Sequence, residues 1–203
     1  MKKVTFLIGM LSFLTISGMS VDAAQQDSSQ KKAEFQITEN ENGTIKVEAE
    51  LLRFGDHTLL PSDINAKTKE DTRVKVTEFS GNRPGWTLKV KLDKFKSGTD
   101  EANGTRLFYP IVTPTTTTGG DASTKAPVTV GAQDSFLDDL KGTIVNDDNV
   151  PTKIAVAEKG KGYGEWTMSY SGNNRIQLNV PAGQKVGAYS AELIYMIEDA
   201  PTP

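Results

Sequence analysis

Residues 86–92 alternate without interruption, Trp86, Leu88, Val90 and Leu92 against Thr87, Lys89 and Lys91. Successive side chains of an extended chain point to opposite faces, so a period of two yields one apolar and one charged face. Such a strand needs a second layer to cover its apolar side. The pattern recurs at 45–51, where Ile45, Val47, Ala49 and Leu51 alternate with Lys46, Glu48 and Glu50 and are expected on one face. Further strands are predicted at 107–112, 153–157, 166–170, 175–180 and 189–197. Asn42-Gly43 suits a hairpin turn from an earlier strand at 35–38, and Asn103-Gly104 punctuates before 107. The Thr-, Gly- and Pro-rich stretch 113–127 reads as a long surface loop or a linker, and 134–140, with Phe136, Leu137 and Leu140, as the one short helix. Breakers crowd 181–187. Eight or so strands with scarcely any helix imply an all-β fold, an antiparallel, Greek-key-like β-sandwich. Segments 86–92 and 189–197 are predicted as its central strands, because Ile194 and Met196 make the second apolar on both faces.

Lys2 and Lys3, an apolar run from position 4 to 16, and small residues ending in Val21-Asp22-Ala23-Ala24 have the form of a signal peptide cleaved after Ala23 or Ala24. The run is well short of the roughly 20 apolar residues that span a bilayer. Removing residues 1–24 leaves 179 of the 203 residues. That suits one domain, able to bury about 70% of its unfolded surface. Residues 25–32 read as a polar, flexible lead, and 33–201 as the domain. The whole chain carries −3; the leader removes Lys2, Lys3 and Asp22, one net positive charge, leaving −4. Such a chain is a poor generic partner for nucleic acid or an anionic membrane. With no cysteine there is no disulfide, thiol nucleophile or lipidation site.

Chemistry-bearing constellations are sparse. His57 is the sole histidine and reads as a solvated loop residue between Asp56 and Thr58, so no imidazole-based metal site is expected, and no cofactor. Asp138-Asp139 and Asp147-Asp148 lie in turn-like contexts, where solvated acids are the ordinary finding. Gly160-Lys161-Gly162-Tyr163-Gly164 lacks the Lys-Ser/Thr ending of a phosphate loop and reads as a flexible connection into a strand. The glycosylation triplets beginning at Asn42 and Asn103 are better explained as hairpin turns. Lys89, Lys91, Lys94 and Lys96 form either a basic patch or the wet side of an amphipathic strand and its continuation. The expectation is a non-catalytic protein.

Trp86-Thr87-Leu88 opens the strongest strand; Gly164-Glu165-Trp166 and 176–181 follow, and the chain closes on 187–193, Tyr195-Met196-Ile197 and Asp199-Ala200-Pro201. This order resembles the WxL-domain proteins of Gram-positive bacteria, whose early and distal Trp-x-Leu motifs bracket one domain. The resemblance covers residues 33–201. It departs at the distal motif, where Tyr195-Met196-Ile197 keeps the aromatic and aliphatic characters without the indole; Trp166 belongs to the preceding segment.

The resemblance implies a secreted, cell-surface protein attached non-covalently to the cell wall through peptidoglycan. It also implies that membrane-anchored surface proteins encoded nearby, and host matrix proteins, are candidate partners. The alternative is an interaction subunit or adhesin retained by such an anchored partner. The motif residues Trp86, Leu88, Tyr195 and Ile197, with Trp166, Lys89 and Lys91 as accessories, have two readings. They pack inward as core anchors, continuing apolar stripes, or they present a ring to sugar C–H faces or a peptide stem.

Overall fold

The computed structural model describes residues 45–80, 82–118 and 125–199. The predicted leader, the lead 25–32, the strand at 35–38 and the Asn42-Gly43 turn lie outside them. Among the described residues there are fifteen strands, every named pairing antiparallel, and one 3-10 turn, Gly172–Asn174. None of their helices is long and apolar enough to cross a membrane.

Three sheets surround one core. Sheet A runs β1 (Lys46–Ala49), β3 (Thr72–Glu78), β13 (Gly164–Tyr170), β8 (Thr115–Thr118). Sheet B runs β10 (Gln133–Asp134), β11 (Lys141–Asn146), β7 (Arg106–Pro110), β14 (Gln177–Val180), β2 (Ile64–Lys67). Sheet C runs β15 (Leu193–Asp199), β4 (Trp86–Leu92), β12 (Thr152–Ala157), β9 (Val128–Thr129). A small ribbon joins β5 (Phe95–Ser97) to β6 (Asp100–Ala102). Among the described strands only β5–β6 and β10–β11 pair consecutively; the remaining pairings are long-range, in sandwich-like order. Alternation sets the inward faces: Val74, Val76, Met168 and Tyr170 from sheet A meet Leu107, Tyr109, Val145 and Leu178 from sheet B, and Trp86, Leu88, Val90 and Leu92 from sheet C.

Several expectations are corrected. Among the described residues the segment 189–197 is not a central strand: β15 starts at Leu193 and stands at the edge of sheet C, bonded to β4 alone. Residues 193–197 are all half-buried, because an edge strand has a neighbour on one side only. Upstream, Ser190 makes just an isolated bridge with Lys96. The 134–140 segment is a bent connection instead of a helix. The buried Gln177 side chain accepts from the N–H groups of Phe136 (2.9 Å) and Leu137 (3.1 Å) and donates to Asp138 (2.9 Å). Ser135 bonds Leu140 and Asp138 across the bend. Phe136 lies edge-on to Phe108, closing the outside of sheet B.

Part of the predicted loop 113–127 is a strand: Thr115, Thr116 and Thr118 pair with β13, adding β-branched residues to the edge of sheet A. Leu51 leaves its expected face and is 73% exposed, since β1 ends at Ala49; Leu52 packs on the core in its place. Asn103-Gly104 forms a turn between β6 and β7, which do not pair, so it is no hairpin; the Asp147 carboxylate fastens it by accepting from the N–H of Gly104 (2.9 Å) and Thr105 (3.1 Å).

Candidate functional site

The two motifs separated by more than a hundred residues become neighbours. β15 pairs with β4 so that Ile197 stands opposite Leu88, Tyr195 opposite Val90 and Asp199 opposite Trp86. Trp86, Leu88, Tyr195 and Ile197 therefore share the inward face of sheet C. Trp86 and Leu88 are 0% exposed. The Trp86 indole donates through Nε1 to the Gly162 carbonyl at 3.2 Å, and a Cβ at Gly162 would stand 2.5 Å from that nitrogen. The Gly-rich connection is thus shaped to seal the ring. Trp166 is buried on the inward face of β13 and donates at 2.9 Å to the carbonyl of Tyr163, the residue that follows the acceptor of Trp86.

At the position of the distal motif, Tyr195 meets two other rings. Its hydroxyl shares a hydrogen bond with that of Tyr109 (2.9 Å), and the Tyr109 ring sits edge-on to Tyr195 and to Tyr170. Burial raises the pKa of all three; that of Tyr195 is pushed up to about 12.

The lysines occupy the opposite, wet face or lie beyond it. Lys89 is ion-paired across the strands with Glu198 (2.8 Å), while Lys91 lies half-buried opposite Ile194. Lys94 and Lys96 both approach Glu101, at 2.9 and 3.9 Å. Three of the four lysines thus have an acidic neighbour, with one glutamate shared between Lys94 and Lys96. Among the described residues no group of three or more His, Asp or Glu side chains could hold a metal ion.

The outward face of sheet B carries what the sequence reading missed. Register places Asn65, Asn179 and Arg106 side by side on adjacent strands. The buried Asn179 amide donates to Asp63 (3.1 Å) and Asn65 (2.8 Å) and accepts from Arg106 (3.2 and 2.8 Å). The Arg106 guanidinium lies over the Phe136 ring. Asp63 also accepts from the Ala182 N–H at 3.0 Å, clamping the turn after β14 against the loop before β2. The Asn179 amide and this N–H hold its carboxyl below the usual carboxylate range. Beside the clamp lie two adjoining open hollows. One is lined by Leu59, Leu60, Pro61, Ala182 and Gly183, the other by His57, Thr58, Leu60, Asp63, Ile64 and Asn65. Paired polar residues at alternate positions of strands, Asn65 with Lys67 and Gln177 with Asn179, were the available signal. Distance along the chain hid their meeting.

These features define an antiparallel β-sandwich whose aromatic motif is sealed in the core and whose polar groups gather on an outer face. The model of the WxL domain, described as surface cell wall-binding, matches residues 25–201. The chain belongs to the WxL domain family, a family of cell-surface wall-binding domains. No curated protein and no solved structure is significantly similar to it.

Two predictions follow from the buried motif. Trp86→Ala is expected to cost about 3–5 kcal/mol of unfolding free energy, the usual penalty for removing a large core aromatic; urea titration checks it, and an unchanged midpoint would oppose the packing seen here. The second concerns alkali. A tyrosine whose folded pKa lies above its unfolded value of about 10 contributes stability that is intact below pH 10. That contribution falls as pH climbs from about 10 through the folded value, about 12 for Tyr195. Thermal melts from pH 8 to 12 should therefore show a decline beginning near 10, smaller in Tyr195→Phe.

Proposed function

We propose that the chain is exported on a leader, residues 1–24, removed before it reaches the surface. Its domain then attaches non-covalently to peptidoglycan of a Gram-positive wall, without catalysing a reaction. The observation that carries this reading is the match of the cell wall-binding family over residues 25–201. In it, Trp86, Leu88, Tyr195 and Ile197 are structural: they hold β4 and β15 together, and substitutions that empty the core weaken binding by destabilising the domain. Trp166 plays the same part in sheet A. Lys89 and Lys91 make no dominant contact, in keeping with the Glu198 partner of Lys89 and with a net charge of −4 after leader removal.

A second reading, retention by a membrane-anchored surface protein, draws on the half-buried Ile194 and Met196 on the outer side of edge strand β15. Any contact with host matrix proteins would belong to the same surface-exposed role. Co-sedimentation of purified protein with bare sacculi separates the two, because attachment without a partner is expected only of the first.

Two outcomes are expected. Mass spectrometry of the wall-associated protein should find its N-terminus at Ala24 or Gln25; an intact leader would sink the export proposal. Protein pelleted with sacculi should stay bound through a sodium chloride gradient to 1 M, where the Debye length is about 3 Å and exposed charge pairs are screened. Full release at moderate salt would assign retention to the lysines.

A further inference from the structure

We propose that the hollow between the loop preceding β2 and the turn following β14 is the sugar-contact site, and that it takes a neutral, N-acetylated glycan strand. The inference rests on the wall-binding reading and places it on the surface. Trp86 and Leu88 have no exposed area with which to touch a polymer. A ligand must therefore meet other residues.

The hollow offers both halves of a sugar-binding chemistry. Leu59 and Leu60 are 47% and 52% exposed, and together with Pro61 they give an apolar shelf at the two adjoining depressions. Exposed leucines side by side on a loop leave apolar area in water, which a sugar's C–H face or an acetamido methyl would cover. Polar groups with spare bonding capacity stand next to it. The exposed Asn65 uses its carbonyl oxygen to accept from Asn179, and its own NH₂ has no partner among the described residues. Thr58 likewise has no hydrogen bond there. His57 is bonded through Nε2 to the Phe54 carbonyl, which leaves Nδ1 as an acceptor. A donor amide, a hydroxyl and a ring nitrogen beside an apolar shelf match a ligand made of hydroxyls, amides and methyls.

The site is also held in shape. Asp63 ties Ala182 to Asn179, Lys69 donates to the Arg53 carbonyl (2.7 Å), and Phe54 packs on the core, so both walls are fastened before any ligand arrives. Charge then selects among wall polymers. Asp63 lines the hollow with its carboxyl held below the usual carboxylate range, so a phosphate-rich chain would meet like charge there.

The test uses purified parent protein, sacculi stripped of anionic polymers, and a Leu60→Ala/Thr58→Ala double variant whose side chains lie on the surface. The double variant should keep the parent's melting midpoint and bind sacculi at least tenfold more weakly, and an N-acetylglucosamine tetramer should compete with parent binding. Met196→Ala, on the outer side of sheet C, should bind as the parent does. If the double variant loses its fold, Asn65→Asp replaces it: this keeps the acceptor for Asn179, removes the free NH₂ and should weaken binding similarly. Parent that pellets together with variants that bind equally well would overturn the hollow while leaving wall binding intact. Binding lost on stripping the anionic polymers, or no competition by the tetramer, would overturn the ligand class. Parent that fails to pellet with any sacculi would overturn both the hollow and the wall-binding proposal.

Discussion

The burial of the apolar face of β4 is the constraint on which the other elements depend. This strand stands between β15 and β12, and its Trp86, Leu88, Val90 and Leu92 are all fully buried in the core. A buried indole N–H left without an acceptor costs about 1–3 kcal/mol. The Gly162 carbonyl meets that need, and its approach to the ring requires a residue without a Cβ. A segment that resembles a loose Gly-rich connection in the sequence is therefore a fixed lid on the central ring, and it also delivers the chain into β13.

Pairing of β15 with β4 joins the last strand of the domain to one more than a hundred residues earlier. Cross-strand neighbours stabilise a sheet through their side-chain contacts, and Leu88 with Ile197 and Val90 with Tyr195 are such neighbours. Tyr195 brings a hydroxyl as well as a ring to the sheet interface. Tyr109, on the central strand of sheet B, accommodates it through a hydroxyl–hydroxyl bond. Tyr195 thereby links an edge strand of one sheet to the middle of another.

Core and surface carry separate tasks. The inward faces are closed by apolar and aromatic packing, while the outward face of sheet B bears a linked set of amides, carboxylates and a guanidinium. Asn179 uses both its donors and its acceptor within that set, so it orders Asp63, Asn65 and Arg106. The buried Asn179 amide is held firmly, because displacing it would leave a desolvated group without a partner, and it fixes its more exposed neighbours in turn. Such rigidity on an exposed face shapes the adjoining hollows.

The sequence by itself determined the all-β class, the strands at 86–92, 153–157 and 166–170, and the order of motifs that marks the family. Side-chain alternation is a property of the extended backbone and can be read from a few consecutive residues. Only the tertiary structure decided that β15 is an edge strand, that the Thr run contributes β8, and that 134–140 bends where its apolar spacing suggests a helix. The N–H groups of Phe136 and Leu137 bond to Gln177, about forty residues further on, and no local pattern records that partner. The same holds for the hollow, whose walls come from the loop before β2 and the turn after β14. Their meeting depends on β14 pairing with β2, a contact between residues more than a hundred positions apart.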